Sequence, residues 1–326
     1  MSYRYISNLK SKNIRKKSIL IIGSGYIAEE YLKSLNTIGI KDVTIIGNGK
    51  NKVKKLSQKF GYTSFSGGFL KNLEKIPKKD LVIIATPIPL LLKAAESVIR
   101  NGHSNILLEK PGALSSKKLK IFSKKFPSPN IRLAYNRLSY SNLILLMELI
   151  RKDGGVISCH FDFTEWVDKI NFKLYPKTVL SKWGISNSLH VICMVIKIIG
   201  MPKIIKTNRY GSLSWHKKGT IFIGSGVSIK NIPFSYHSNW SSSGRWAIEI
   251  KTKKNSYKLS PLETLYSCKK GSIEWKKVNF KKSYPSTKDG ISEQIFAMLD
   301  KNSKHSLTTI NEGIEYLELA EKIFGY

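Results

Sequence analysis

The chain has 326 residues, of which 41% are hydrophobic and 24% charged, a length and composition that allow two cored domains of an ordinary soluble globular protein. No apolar run reaches the roughly 18 to 20 residues of a membrane span, and 55 Lys and Arg against 22 Asp and Glu give a net charge of +33. That charge predicts a generally basic surface that concentrates anions; without a zinc finger, RRM signature or basic-zipper heptad it implies no specific nucleic-acid partner.

Residues 1–17, MSYRYISNLKSKNIRKK, carry basic groups and no acid. They lack the apolar stretch of a secretory signal and read as a solvated basic tail. Ile19-Leu20-Ile21-Ile22 then reads as a buried strand. Gly23-Ser24-Gly25-Tyr26-Ile27-Ala28 follows as a G-x-G-x-x-A turn, and Ile27, Tyr31, Leu32 and Leu35 share one helical face. Strand, glycine turn and helix N-terminus form a dinucleotide cradle. Gly23 permits the turn, Gly25 lets a pyrophosphate approach the backbone, and Ala28 lets the helix pack on the strand. The leading N–H groups and positive dipole end then face the phosphates. Ser24, Tyr26 and Ile27 line that turn.

Val43–Ile46 reads as a second parallel strand, ending in Gly47-Asn48-Gly49-Lys50-Asn51-Lys52. An acid here would bond the ribose 2′-OH and repel a 2′-phosphate. None is present, and Asn48, Lys50 and Lys52 favour NADP over NAD. Residues 62–65 form a short third strand. A fourth, 80–85, leads to Thr86-Pro87 and a helix over 90–99. The fifth, Asn105–Leu108, ends in Glu109-Lys110-Pro111. A helix over 115–126 and a sixth strand, 131–135, lead to Asn136-Arg137. This alternation predicts a doubly wound parallel sheet. Arg137, at a strand end, suits either a substrate phosphate or carboxylate or an ion pair.

Beyond Tyr140 the rhythm changes. Helices are expected over 142–152 and 186–199, a strand over 156–166 and a lysine-rich loop over 168–182. Strand-like runs follow at 203–207, 220–223, 227–229, 246–252, 256–259 and 272–278, and helices at 291–299 and 310–323. These predict a second domain with a largely antiparallel sheet. Gly224-Ser225-Gly226 lacks a following helix and reads as a turn or bulge, not a nucleotide site. The domains expected are therefore a tail over 1–17, a Rossmann domain over 18–138 and a second domain over 139–326. Cys159, Cys193 and Cys268 are far apart and form no metal-ligand spacing. Their sparse count fits a reducing cytoplasm, and no metal site is expected.

Five features in order resemble the Gfo/Idh/MocA oxidoreductases, NAD(P)-dependent enzymes acting mostly on sugars, cyclitols and their derivatives. They are the 23–28 turn, Ala85-Thr86-Pro87, Leu107-Leu108-Glu109-Lys110-Pro111, Tyr135-Asn136-Arg137 and Asn187-Ser188-Leu189-His190. The resemblance implies a Rossmann domain followed by an α/β domain whose open sheet face serves oligomer contacts. It implies cofactor contacts from Thr86, Pro87, Glu109 and Lys110. Lys110 is then expected to meet the reacting hydroxyl or the nicotinamide ribose, and His190 to exchange the proton. Asn136, Arg137 and Asn187 are expected on the substrate. Many members carry an acid four residues before this histidine and another three after it; here those places are Ser186 and Cys193. Asp162, Glu165 and Asp168 have no assigned place. The implied activity interconverts a secondary alcohol and a ketone on a sugar, nucleotide-sugar or cyclitol. Residues 241–265 also resemble members acting on surface polysaccharides. A dinucleotide-binding sensor that has lost catalysis stays open as the other reading.

Overall fold

Continuous apolar runs make the centre of the first sheet, because parallel strands covered by helices on both faces have no solvent side. In the computed structural model, which describes residues 12–300, 303 and 307–326, β1 (Ser18–Ile22), β4 (Leu81–Ile84) and β5 (Asn105–Glu109) form that centre. β2 (Asp42–Ile46) and β3 (Thr63–Phe65) extend it on one side and β6 (Asn130–Ala134) on the other. The parallel strands run in the order 3-2-1-4-5-6, the dinucleotide-binding arrangement in which the winding reverses between β1 and β4. Ligands bind such sheets outside the carboxyl ends of the strands at this reversal. That point is where Gly23 and Ala85 leave the sheet.

The chain divides into two compact units. The first comprises the described residues up to Ser139 together with those of Lys282–Glu315. A reading in chain order places those residues in the second domain. Their apolar face explains the difference: Ile291, Ile295, Phe296 and Met298 of the helix Ile291–Leu299 enter one core cluster with Tyr31, Leu32 and Leu35 of the helix Tyr26–Ile38. A short strand, Thr308–Thr309, then pairs antiparallel with β6. Most of the basic tail lies outside the described residues. Its end, Lys12–Arg15, is a short helix, and Ile14 is buried in the same core cluster, so this part is not a solvated tail.

The second unit is built on a sheet of eight strands among the described residues, antiparallel except where Ser158–Asp162 and Pro233–Asn239 pair parallel. Gly224-Ser225-Gly226 is not a turn. It lies inside one strand, Ile221–Ser228. A Cβ at Gly224 would collide with the Tyr236 hydroxyl and one at Gly226 with the Ile204 carbonyl. The glycines therefore make room inside a sheet for neighbouring groups, a use that resembles a turn in sequence. The strands Pro233–Asn239 and Leu265–Lys269 were not expected, and only Lys276–Lys277 of the run 272–278 is a strand. Residues 168–182 hold two short 3₁₀ turns and the helix Lys177–Leu180 rather than an open loop.

A buried carboxylate fixes one corner of this unit. Asp153 closes the helix Ser141–Lys152, and its Oδ2 accepts from Thr252 Oγ1, Asn255 Nδ2 and Tyr257 Oη, each at 2.8 Å. Burial alone would raise its carboxyl, but the Asn255, Thr252 and Tyr257 bonds outweigh it and hold the group below its usual value. A depressed folded value stabilises the fold above the unfolded pKa of about 4, and the contribution is lost as pH falls through the folded value. Asp153→Asn should cost about 2 kcal/mol in denaturant unfolding at pH 7. The gap to the wild type should narrow as the pH drops below about 4. A gap independent of pH would remove the charge from this account.

Candidate active site

Gly23 turns the chain at the end of β1 with φ +144°, and a Cβ there would overlap the Ala85 carbonyl. Gly23 N donates to Ile46 O and Ala85 N to Ile22 O, both at 2.8 Å. The carboxyl ends of β1, β2 and β4 are thereby tied together. Gly25 differs from Gly23. Its backbone is extended, with φ −92°, and nothing lies within 4 Å of a Cβ built on it. It caps the helix Tyr26–Ile38 without a side-chain bond, so side chains of its cap leave the leading N–H groups to another acceptor. Ala28 is fully buried where the helix meets the sheet. Ser24 is half-buried, and a Cβ on Gly47 would strike it. Ile27 is half-buried and Tyr26 is exposed.

Two observations fit a dinucleotide at this turn. One is the open space over Gly25 beside an uncapped helix start. The other is Thr86 Oγ1, which is buried and has no hydrogen-bond partner among the described residues. Pro87 beside it is exposed. At the end of β2, Asn48, Gly49, Lys50 and Lys52 are all exposed. Gly49 caps the helix Lys50–Phe60 without a side-chain bond, and its first turn contains no acid.

Glu109 and Lys110 stand at the carboxyl end of β5, both half-buried. The fully buried Tyr31, on the helix that starts at the glycine turn, donates its hydroxyl to Glu109 Oε1 at 2.9 Å. This bond links the two motifs that the sequence holds 78 residues apart. Burial pushes the Glu109 carboxyl up; the Lys110 charge, the Tyr31 bond and the Lys288 charge pull it part of the way back. Lys288 itself lies 4.8 Å from the Tyr26 ring centroid. It reaches this end of the sheet from the returning segment, which no local motif announces. Asn136 and Arg137, both half-buried, lie on the 3₁₀ turn Asn136–Ser139. The Asn136 amide is committed to structure: Nδ2 donates to Asp289 O at 3.0 Å. The Gln294 amide, oriented to satisfy the donors around it, accepts from Tyr135 N at 3.2 Å and Asn136 N at 3.0 Å.

In the second unit a single π turn, Gly184–Ser188, runs into the helix Leu189–Ile199. Gly184 fits because Phe324 fills the space a Cβ would need, and its N–H donates to Tyr326 Oη at 3.0 Å. Asn187 is half-buried; Ser186, Ser188, His190 and Cys193 are buried. Trp183 is also buried. Glu165 is 2% exposed. Its Oε2 accepts from Asn187 Nδ2 at 2.7 Å, and its Oε1 accepts from Ser188 Oγ at 2.6 Å and Trp246 Nε1 at 3.2 Å. Arg245 Nη1 stands 3.9 Å from Oε2. The Trp246 ring lies 6.1 Å from that of His190. A carboxylate thus attends the Asn187–His190 segment although Ser186 and Cys193 are not acids. Asp162 instead accepts from Thr164 N at 2.6 Å, and Asp168 is exposed on a 3₁₀ turn. The sequence puts Glu165 inside the strand expected over 156–166 and carries no signal that separates it from those two acids.

The GFO_IDH_MocA family, described as an oxidoreductase family with an NAD-binding Rossmann fold, matches residues 17–134. Over 88 residues the chain is 30% identical to the shikimate dehydrogenase (NADP(+)) of Prochlorococcus marinus (strain MIT 9301), a match covering 26% of this chain and 31% of that protein. The chain therefore matches about a third of this curated relative's length. The UDP-N-acetylglucosamine 3-dehydrogenase of Acidithiobacillus ferrooxidans superposes with a TM-score of 0.73 at 12% identity, over 95% of this chain and 97% of its own. The biliverdin reductase of Synechocystis, solved with biliverdin and NADP+, superposes with a TM-score of 0.73 at 16% identity, over 95% and 99%. At these identities the superpositions speak for the fold alone. Residues 17–134 thus match the NAD-binding Rossmann domain of the Gfo/Idh/MocA oxidoreductases.

Proposed function

We propose that the chain interconverts a secondary alcohol and a ketone on a sugar, nucleotide-sugar or cyclitol, with Lys110 and His190 as catalytic residues. The observation that carries this reading is the Tyr31–Glu109 bond, which fixes the Lys110 turn relative to the glycine turn within one unit. Gly23, Ser24, Gly25, Tyr26 and Ile27 hold the pyrophosphate; Thr86, Pro87 and Glu109 bind toward the nicotinamide ribose. Bound there, the nicotinamide supplies hydride acceptance and donation. Lys110 places an ammonium where negative charge develops on the reacting oxygen. His190 takes or returns the proton. Asn187 and Arg137 bind substrate, while Asn136 acts by holding the Asp289 turn. The case for a sensor without catalysis is the absence of acids at positions 186 and 193, and Glu165 weakens it by supplying a carboxylate to the same segment.

A sugar-nucleotide dehydrogenase and a biliverdin reductase share this fold, so the substrate class rests on the Asn187–His190 segment and on the basic charge, which suits an anionic substrate. Exposed Ile204 and Tyr210 on the outer strand Pro202–Tyr210 support the second sheet as a homo-oligomer contact. Among the described residues no helix is long and apolar enough to cross a membrane.

The cofactor is tested first. Denaturing the purified protein and identifying the released dinucleotide should give NADP, because Asn48, Lys50 and Lys52 tolerate a 2′-phosphate and no acid repels it. Release of NAD alone would overturn that preference. A panel of sugars, nucleotide-sugars and cyclitols, followed at the nicotinamide absorbance, tests the reaction; no turnover on any of them would overturn it.

A further inference from the structure

We infer that Glu165 is a positioning residue that fixes the Asn187 side-chain amide in one orientation, so that Asn187 presents its oxygen as an acceptor and selects a substrate hydroxyl. The role of this contact in substrate choice rests on the function proposed above; the orientation does not.

The side chains bonded to the two Glu165 oxygens each carry an N–H or O–H donor. Asn187 Nδ2, Ser188 Oγ and Trp246 Nε1 lie within 3.2 Å, and the Arg245 guanidinium lies beyond them at 3.9 Å. An ionised carboxylate only accepts. Burial pushes the Glu165 carboxyl up, and the Ser188, Arg245, Trp183 and Asn187 interactions pull it only part of the way back; the donors gathered on both of its oxygens are what mark it as an acceptor. A neutral amide facing an acceptor-only group turns its NH2 toward it. The Asn187 oxygen is then aimed away from Glu165, and flipping it would set oxygen against oxygen in a buried setting, which is costly. Trp246 carries the same influence one turn further: its Nε1 is held by Glu165 Oε1, and its ring is the neighbour of His190.

The surroundings hold Glu165 firmly. Arg245 is stacked over Trp246 with its guanidinium carbon 4.2 Å from the ring centroid, and over Trp166 at 4.9 Å. Thus the carboxylate has a fixed cation on one side and a fixed indole on the other. A site built to accept from a substrate hydroxyl rejects the analogue lacking it far more strongly than an apolar pocket rejects a shape change. The acceptor at position 187 would supply that discrimination.

The test follows the Asn187 NH2 resonances, assigned by their loss in Asn187→Asp, and their exchange with water. In the wild type they should exchange slowly. In Glu165→Gln, whose own amide can face Asn187 with either atom, exchange should speed up at least tenfold. Glu165→Asp keeps the charge beside Arg245 but withdraws the oxygen by a methylene, and should also speed exchange; it serves if the glutamine variant does not fold. Unchanged exchange in the folded variants would overturn the assignment whatever the activity. On a substrate that the wild type turns over, Glu165→Gln should lower kcat/KM about 10- to 100-fold, mostly through KM, with dinucleotide affinity unchanged. The double variant Glu165→Gln/Asn187→Asp, in which the polarity of the contact is reversed and an acceptor is still presented, should regain part of that loss. A double variant no better than the product of its single changes would overturn the selective role. A wild type inactive on every substrate, with the amide still released by Glu165→Gln, would remove the proposed function and leave the positioning in place.

Discussion

Gly25→Val is expected to abolish useful dinucleotide binding while leaving the fold intact. Gly25 has φ −92°, which any residue adopts, and a Cβ on it meets no atom within 4 Å. The side chain therefore enters open space and strains nothing. Its cost to stability is the poorer helix cap, about 1 kcal/mol. The same space is where a pyrophosphate must approach the helix N–H groups, and a valine there holds it off. Affinity for NADPH should fall about 100-fold or more, the equivalent of ~2.7 kcal/mol. Gly23→Ala should behave in the opposite way. At φ +144°, with the Ala85 carbonyl in the path of the new Cβ, the substitution should destabilise the unit by about 3 kcal/mol or more. Calorimetric titration with NADPH and thermal unfolding of both variants separate the two glycines. Full affinity in Gly25→Val would remove the cradle from the function.

The first unit was readable because its signals are local. A buried parallel strand is a continuous apolar run, and the glycine turn sits directly after one. What the sequence hid is what the chain brings back from far away. Lys282–Glu315 joins the first unit through Ile291 and Ile295, residues whose helical spacing says that they are buried but not against what. Lys288 reaches Tyr26 by that route. In the second unit the strand Ile221–Ser228 carries a turn-like signal because glycine marks turns and close approaches alike; Tyr236 and Phe234 on the neighbouring strand decide between them. Glu165 was hidden for another reason. Family spacing directs attention to acids on the histidine's own helix, at positions 186 and 193. A carboxylate arriving from past the strand Ser158–Asp162 has no fixed spacing to His190 and is visible only through its bonds.

Lys110→Met should reduce kcat by about 1,000-fold, the scale seen when one preorganised donor to a developing oxyanion is removed. Methionine keeps the length and apolar stem of the side chain, so a half-buried position at a strand end should accept it with little loss of stability. The charge is what disappears. Glu109 reports that loss independently of any substrate. The Lys110 charge is the largest influence holding its carboxyl down against burial, so without it the Glu109 value should move further up. That shift can be read by carbon NMR of the carboxyl. Lys110→Arg should not restore kcat, because a planar guanidinium presents its charge with a different reach and geometry. NADPH affinity should change less than tenfold in either variant, since the Gly23–Ile27 turn is left as it stands. If Lys110→Met shifts Glu109 but keeps kcat within tenfold of the wild type, Lys110 is an electrostatic neighbour of Glu109 and the proton and charge chemistry belongs elsewhere.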